Sequence, residues 1–387
     1  MDFFSELLME WFPFWILLPG VIFFSLLLWL LLKRFRSVGI TNKSLDIKNR
    51  WNSSQKSTLG GIVFFIAFLI AGTWVCSASD QPVAIIDYCF FLGGTVAFAT
   101  GLWDDVRRIS PLRKFLGQCV TAAIFIIGVQ HEIPSWLMVL LFVWMVGMMN
   151  SFNMFDNMDG VATSVAIAAL LPLLLRDGFH PAPVLLLSAL LAFLIFNWYP
   201  AKVFMGDSGS HLLGYVLASI PFLNAMSMQY LFDGFDTPTI DYGISQIQSP
   251  VLECLMILTA LAVPLVDTAV VIINRISNGV SPARGGKDHT THSLNYIGIS
   301  TRWICIIIFL LGTFAAFLNH LASAKFANSV QSQIIESGTF HEWRFADTLH
   351  IALPNFIFIA TIFAVLFYIT RRNLKLGKFS YYKNSTS

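Results

Sequence analysis

The chain has 387 residues, of which 56% are hydrophobic, 14% aromatic and only 12% charged. Soluble domains carry about 25% charged residues, so this composition excludes a water-soluble fold. The formal net charge of +2 is too small to indicate a nucleic-acid partner. The five cysteines lie in or beside apolar segments without CxxC or metal-type spacing, so neither a disulfide framework nor a cysteine zinc site is indicated.

Eleven apolar runs approach the roughly 20 residues that a helix needs to cross a bilayer. Residues 1–387 are therefore predicted to form a single membrane-embedded, all-α domain with about eleven transmembrane helices. The predicted spans are 12–32, 59–76, 83–102, 115–129, 135–149, 162–175, 183–198, 210–224, 251–273, 303–321 and 350–370.

The charges around these runs predict their orientation. The first run follows three acids and leads into Lys33 and Arg34, which favours an uncleaved anchor with its N-terminus outside over a signal peptide. With eleven spans, 21 of the 24 Lys and Arg residues fall on the inner side. This distribution follows the positive-inside rule and predicts a cytoplasmic C-terminus.

Eight acidic residues fall on the same inner side, and all of them are aspartates. Short carboxylates gathered at one membrane face are typical of a site for a hard divalent cation and phosphate oxygens. Ordinary capping of loops is the alternative. The eight are Asp46, Asp104, Asp105, Asp156, Asp159, Asp207, Asp267 and Asp288.

Two adjacent acids, Asp104 and Asp105, end the third predicted span and are followed by four bases that include Lys114. A solvated inner loop explains the bases but not the paired acids at the edge of a bilayer. The pair is therefore a candidate for function.

The segment NSFNMFDNMDG at 150–160 is unusually rich in amides and acids. Asn150, Asn153 and Asn157 recur at helical spacing, so they form one polar stripe if the helix continues. A capping turn needs only one such residue. Amide and carboxylate oxygens can bind Mg²⁺, and amide N–H groups can contact a base or a sugar.

The segment VFMGDSGS at 203–210 precedes an apolar run, so Asp207 is either an N-cap or a ligand beside an anion-binding helix end. Asp267 lies three residues after Pro264, which predicts a kinked helix that lines a polar cleft. A buried aspartate there needs a basic partner, for which Arg275 is a candidate.

The segment SPARGGKDHTTH at 281–292 is predicted to be a mobile cationic flap that binds a diphosphate through Arg284, His289 and His292. A solvated loop is the alternative. Zinc binding by the two histidines is poorly supported, because no cysteine or further histidine lies nearby.

In this order, the segments resemble the polyprenyl-phosphate N-acetylhexosamine-1-phosphate transferase family. The resemblance extends from about residue 46 to residue 300 and rests on five motifs. The eleven predicted spans resemble the branch that transfers GlcNAc 1-phosphate to undecaprenyl phosphate. The motifs are the turn at Gly60 and Gly61, the paired aspartates with Lys114, the NxxNxxDGxDG-like segment 150–160, the VFMGDxGS-like segment 203–210 and the HxHH-like segment 289–292.

The sequence departs from the family pattern at several positions. Thr291 stands at the middle histidine of HxHH, and Asn157 stands at the first glycine of DGxDG. The Pro and Arg usual before Gly60 and Gly61 are absent. The triple-histidine stretch of the muramoyl-pentapeptide branch is also missing, which argues against that substrate.

The resemblance implies a Mg²⁺-dependent enzyme, with Mn²⁺ as a second usable ion. It would transfer a sugar 1-phosphate from a UDP-N-acetylhexosamine to undecaprenyl phosphate, releasing UMP at the cytoplasmic face of the inner membrane and starting a cell-envelope glycan. The lipid bilayer is an implied partner, and a homodimer is left open. The implied sites are catalytic (Asp104, Asp105, Lys114, Asp156, Asp267), substrate-binding (Asn150, Asp159, Phe204, Arg284, His289, His292) and metal-binding (Asn153, Asp207).

Two other classes of function remain as alternatives. A cation-coupled transporter or lipid flippase also carries acids in its helices, but it places them near the bilayer midplane and often shows repeat symmetry. A purely structural scaffold would not need Asp267. For an enzyme, direct attack by the lipid phosphate is favoured over a phospho-enzyme intermediate.

Overall fold

The computed structural model describes residues 3–35, 56–78, 84–131, 133–176, 181–233, 261–282, 285–337 and 345–379. Within these ranges the chain is all-α, as predicted, and no β-strand occurs. The helices are α1 Phe3–Arg34, α2 Gly60–Ala78, α3 Ile85–Arg107, α4 Pro111–Val129, α5 Ser135–Phe155, α6 Val161–Arg176, α7 Pro181–Asn197, α8 Gly206–Asp233, α9 Ala262–Ser277, α10 Thr290–Tyr296, α11 Thr301–Ser337 and α12 Phe345–Lys375.

Each of the eleven predicted spans overlaps one of these helices, and the short α10 is the additional one. In the part of the chain that the structure describes, six helices are long and apolar enough to cross a membrane, and three shorter ones are also apolar. The protein is therefore a multi-pass membrane protein. The number of crossings and the side of each terminus stay predictions. The six are Trp15–Arg34, Ile85–Arg107, Pro111–Val129, Ser135–Phe155, Thr301–Leu318 and Leu353–Lys375.

The helix α8 lies at the centre of the bundle and packs against α2, α3, α5 and α6. Its buried aromatic residue Tyr215 donates a hydrogen bond to the Phe90 carbonyl of α3 at 2.8 Å. Apolar side chains from most of the helices form one continuous core around it. The outward faces of the bundle carry many large exposed apolar side chains, as a lipid-facing surface requires.

Several helices extend beyond their predicted apolar runs into polar sequence, and these extensions position the site. The helix α4 begins four residues early, at Pro111, because the Ser110 hydroxyl accepts from the Arg113 N–H and proline suits the first helical position. The helix α5 continues to Phe155 and so includes Asn150 and Asn153. The predicted polar stripe is confirmed for these two residues, whereas Asn157 lies beyond the helix.

Pro264 lies in the first turn of α9, where a helix tolerates proline without kinking. The helix begins at Ala262, two residues before Pro264, and residues 251–260 of the predicted span lie outside the described ranges. The predicted kink therefore stays a prediction.

Candidate active site

A lysine lies between two acids from different helices at one end of the bundle. The Lys114 ammonium is 3.2 Å from Asp104 Oδ2 and also pairs with Asp207 Oδ2. These residues come from α4, α3 and α8, respectively. The side chains of Lys114 and Asp104 are only 16% and 17% exposed, so the charges are partly withdrawn from water and interact more strongly than surface ions.

Asn153 of α5 completes this group, which we call the lysine–acid cluster: Asp104, Lys114, Asn153 and Asp207. With its amide oriented to satisfy both neighbours, Asn153 donates to Asp207 Oδ1 at 2.8 Å and accepts from Lys114 Nζ at 3.1 Å. Asn153 and Asp207, which the resemblance assigns to metal binding, therefore contact each other. They lie beside Lys114, which the resemblance assigns to phosphate binding.

Asp105 has a different environment from Asp104, a difference that could not be predicted from two adjacent identical residues. Its carboxylate accepts hydrogen bonds from the backbone N–H groups of Asp207 (2.9 Å) and Ser208 (3.0 Å). Asp105 is thus an N-cap of α8 that is supplied by another helix. Asp104 instead accepts from the Ile109 N–H at 2.8 Å and from Lys114.

Glycines allow the start of α8 to approach its neighbours closely. Gly206 has a φ of +76°, and a Cβ there would lie 2.6 Å from Asp105 Oδ2. A Cβ at Gly101 of α3 would lie 2.2 Å from the Asp207 carbonyl oxygen. Side chains at these positions would push Asp207 away from Asp105 and the cluster.

The predicted turn at Gly60 and Gly61 contacts the segment before α8. The N–H groups of Gly60 and Gly61 donate to the carbonyls of Phe204 (3.1 Å) and Met205 (2.9 Å). The half-buried Phe204 ring faces Lys56 Nζ at 5.1 Å from its centroid. A cation therefore lies against this ring, which the resemblance assigns to uracil stacking.

Asp159 and Asn197 fix the loops on either side of this region. Asp159 accepts from the Ala201 N–H at 2.9 Å. Asn197 accepts from the Gly160 N–H and donates to the Val203 carbonyl, each at 2.9 Å. Asn197 is buried and was not predicted, because a lone asparagine that ends an apolar helix matches no motif.

Asp156 is the C-cap residue of α5, where its N–H donates to the Phe152 carbonyl at 3.0 Å. Its side chain is half-buried. The structure thus places it one turn beyond Asn153, at the same end of the bundle as the lysine–acid cluster.

Asp267 is fully buried and holds the start of α10. One carboxylate oxygen lies 2.8 Å from His289 Nδ1, and the other accepts from the Thr290 N–H and hydroxyl, each at 2.7 Å. Its basic partner is therefore His289 and not Arg275. Asp267 positions a histidine and caps a helix, and its burial keeps it from reaching a substrate directly.

Arg275 forms a buried two-point ion pair with Asp288, at 2.9 and 2.8 Å, and donates to the Pro282 carbonyl at 2.7 Å. Burial opposes ionisation of Asp288, but the hydrogen bonds and charge of Arg275 outweigh it and hold the pKa of this carboxyl below its ordinary value. Asp288 was counted among the inner acids but not predicted as a site residue.

The predicted mobile flap is wrong for residues 288–292, which are all buried. Most of them belong to α10, where the Thr291 hydroxyl donates to Asn157 Oδ1 at 2.7 Å. Burial and the nearby His289 lower the pKa of His292 to about 3, so its imidazole is neutral at physiological pH. Arg284 lies outside the described residues.

The oxygen donors of the cluster fit a hard divalent cation. Asp104 Oδ2, Asp207 Oδ2 and Asn153 Oδ1 converge on one ammonium group from three helices. The described residues contain no set of three His, Cys, Asp or Glu that could hold a metal alone, so a metal at this cluster would need further ligands from substrate or water. Mg²⁺ commonly binds one or two carboxylates together with substrate phosphates and water, so this donor set suits it.

Comparisons with known proteins show a family relationship. Residues 88–224 match the model of glycosyl transferase family 4. A probable undecaprenyl-phosphate N-acetylglucosaminyl 1-phosphate transferase of Bacillus subtilis is 28% identical over 276 residues, covering 66% of this chain and 70% of the relative. A decaprenyl-phosphate N-acetylglucosaminephosphotransferase of Mycolicibacterium smegmatis is 30% identical over 299 residues, covering 67% and 70%.

Relatives named for a different sugar also match, over a shorter part of the chain. A phospho-N-acetylmuramoyl-pentapeptide-transferase of Limosilactobacillus fermentum is 32% identical over 197 residues, covering 44% of this chain and 61% of the relative. The two relatives named for N-acetylglucosamine transfer therefore align over more of the chain. The matched residues 88–224 include all four members of the lysine–acid cluster.

Proposed function

The chain belongs to glycosyl transferase family 4, and we propose on this basis that it transfers an N-acetylhexosamine 1-phosphate from a UDP-sugar to a polyprenyl phosphate. An oxygen of the lipid phosphate attacks the phosphorus that carries the sugar. The bond from that phosphorus to the bridging oxygen breaks, so UMP leaves and a polyprenyl-diphosphate-sugar forms. Undecaprenyl phosphate is the proposed lipid, because the Bacillus subtilis relative is named for it. UDP-GlcNAc is the proposed donor, because this relative and the Mycolicibacterium smegmatis one are both named for N-acetylglucosamine.

The lysine–acid cluster is the observation that carries this proposal. The reaction brings a lipid phosphate against a nucleotide diphosphate, so several negative charges converge before any bond forms. Catalysis of such a transfer depends mainly on positioning and on compensation of charge. Lys114 supplies a fixed cation beside Asp207 and Asn153, which are the residues that suit a metal.

Asn153 and Asp207 would hold Mg²⁺, or Mn²⁺ in its place, which when bound would neutralise charge on the diphosphate. Lys114 would pair with phosphate oxygens, and Asp104 would orient the lipid phosphate against Lys114. Asp159 and Phe204 would contact the uracil ring. Asp267 fixes His289 through Nδ1, so Nε2 is the ring atom that would face the diphosphate.

Direct attack by the lipid is favoured by the state of the carboxylates. Asp104 accepts from Lys114 and the Ile109 N–H, Asp207 pairs with Lys114, and Asp105 accepts from two backbone N–H groups. Each carboxylate is thus engaged, which lowers its reactivity as a nucleophile. A lipid phosphate is already largely ionised at neutral pH and needs little help from a base.

We place the site at the cytoplasmic face of the inner membrane, because the predicted orientation puts the bases and aspartates there. The cluster lies where α3 ends and where α4 and α8 begin. A transporter or flippase would place its charges near the middle of the helices. The location at helix ends therefore favours an enzyme over these alternatives.

The proposal is tested with detergent-solubilised protein, Mg²⁺, undecaprenyl phosphate and a panel of UDP-N-acetylhexosamines. UMP release that requires lipid, metal and one of the sugars is the expected result. A preparation that stays folded and releases no UMP from any UDP-sugar would contradict the proposal and favour a transporter or flippase.

A further inference from the structure

A second group of polar residues lies one helical turn deeper in the bundle than the lysine–acid cluster. It consists of Gln118 on α4, Asn150 on α5 and His211 on α8, and we call it the buried clamp. Gln118 and His211 are 1% and 0% exposed. Polar side chains at this depth are costly unless they are paired, so their presence calls for a physical reason.

Each clamp residue lies on the same helix face as one cluster residue. Gln118 follows Lys114 by four residues, and His211 follows Asp207 by four. Asn150 precedes Asn153 by three, on a helix that runs toward the cluster. Residues three or four apart on a helix are neighbours, so the two groups stack as successive turns of the same three helices.

The two amides of the clamp form a closed pair. Asn150 Nδ2 donates to Gln118 Oε1 at 2.7 Å and to the Val146 carbonyl at 2.9 Å. Gln118 Nε2 donates to Asn150 Oδ1 at 3.2 Å. The Asn150 side chain is therefore fully engaged in the clamp, which argues against the predicted role for it in substrate binding.

His211 joins this pair through the second hydrogen on the Gln118 amide nitrogen. Gln118 Nε2 lies 3.1 Å from His211 Nε2. Because the Gln118 oxygen already accepts from Asn150, its nitrogen must donate, and His211 Nε2 must accept. His211 is therefore a neutral imidazole with its proton on Nδ1, and among the described residues this buried Nδ1 has no hydrogen-bond partner.

We infer that the buried clamp is a positioning device that sets the register of α4, α5 and α8 and thereby brings Lys114, Asn153 and Asp207 together. Apolar side chains would pack these helices without leaving a donor unpaired, but they would also allow the helices to slide or rotate. Directional hydrogen bonds at one level permit a single register. The inference rests on the proposed function only in taking the lysine–acid cluster as the reaction site.

The first test compares His211→Leu with Tyr215→Phe. Both remove a buried polar contact from α8, but Tyr215 donates to α3 and lies two turns below Asp207. We expect His211→Leu to lower kcat for UMP release at least tenfold with KM for the UDP-sugar within threefold of the wild type. Tyr215→Phe should keep both constants within threefold.

The second test is rescue by exchange. The double variant Gln118→His/His211→Gln keeps an amide and an imidazole facing each other, so kcat should recover at least threefold over His211→Leu. If His211→Leu does not fold, Gln118→Met serves instead, since it matches glutamine in length and removes the hydrogen bonds of Gln118 to both partners. Full activity in the single variants, or equal loss in Tyr215→Phe, would overturn the inference.

A labelling measurement separates this inference from the proposed function. Lys114 is held by two acids and should react slowly with an amine-specific reagent, relative to the exposed Lys202. Mass spectrometry should show Lys114 labelled at least fivefold faster in His211→Leu and unchanged in Tyr215→Phe. Unchanged labelling of Lys114 in both variants would contradict the role of the buried clamp, even if the wild type proved inactive. Inactivity of the wild type alone would contradict only the proposed reaction.

Discussion

Asp105 accepts a hydrogen bond from the backbone N–H of Asp207 at 2.9 Å, so the end of α3 caps the start of α8. This contact joins two motifs that are about 100 residues apart in the sequence. It fixes the backbone at Asp207, whose side chain then faces Lys114 and Asn153. The two adjacent aspartates therefore have separate tasks, one in the cap and one in the cluster.

This separation predicts different outcomes at the two positions. Asp105→Ala should lower the free energy of unfolding by about 0.5–2 kcal/mol, as loss of a helix cap does. Asp104→Asn should leave stability near that of the wild type but lower kcat about 100-fold, because it removes a charge from the reacting site. Thermal unfolding in detergent and UMP release measure the two effects. Similar stability losses in both variants would contradict the separate roles.

Asp207→Asn should abolish turnover while the protein remains folded in the membrane. The change keeps the side-chain shape but removes the charge that pairs with Lys114 and suits a metal, so a loss of about 100-fold or more is expected. Asp87→Asn is the matched control. Asp87 lies in the first turn of α3, whose last turn contains Asp104, and its side chain accepts from the Ala84 N–H. Retained turnover in Asp207→Asn would show that other residues hold the metal.

The C-terminal helix should influence substrate binding through Asn373. Its buried amide donates to the Ser293 carbonyl of α10 at 2.8 Å, and α10 follows directly on His289 and includes His292. Asn373→Leu should raise KM for the UDP-sugar threefold or more and lower the free energy of unfolding by about 1 kcal/mol. Thr361→Val on the same helix is exposed and should change neither quantity. An unchanged KM in Asn373→Leu would show that α12 does not influence substrate binding through Asn373.

The contribution of His292 to stability should fall as the pH drops below about 6.5, the ordinary pKa of histidine. The pKa of His292 is lowered to about 3, so between these values the unfolded chain binds a proton that the folded protein does not. The loss should approach about 1.4 kcal/mol for each pH unit. Asp288 adds a loss of the same sign, but only at lower pH, as its carboxyl protonates first in the unfolded chain.

His292→Gln tests this assignment, because glutamine does not titrate. His289, Asp267 and Asp288 surround the same imidazole and remain in the variant. Thermal unfolding between pH 7.5 and 5 should therefore show a shallower pH dependence in His292→Gln than in the wild type. Equal slopes would show that another group controls acid sensitivity.

The positions of the helices could be predicted from hydropathy, because lipid-facing helices must be apolar over most of their length. Their ends could not, because polar residues at a buried helix end look like loop residues in the sequence. Helix α5 shows the difference: its last turn contains Asn153, and the apolar run stops before it. The site depends on that polar turn.

The motif residues could be predicted because several acids and amides occurred together, but their partners could not. Gln118, Asn197 and His211 are single polar residues beside or within apolar runs, and only helix packing brings them to their contacts. Asp267 was matched with Arg275 by proximity in sequence. The loop after α9 instead brings His289 into contact with Asp267. Spacing along one helix could have indicated Gln118, which lies one turn after Lys114.

The central proposal is that Asp207 and Asn153 would hold one metal ion beside Lys114, where it would neutralise charge on the sugar diphosphate. A cryo-microscopy map of the protein in lipid with UDP-GlcNAc and Mg²⁺ tests it most directly. We predict density for an ion in contact with Asp207, Asn153 and the diphosphate, with Lys114 against a phosphate oxygen. A diphosphate bound away from these residues, or an ion held at other side chains, would contradict the account.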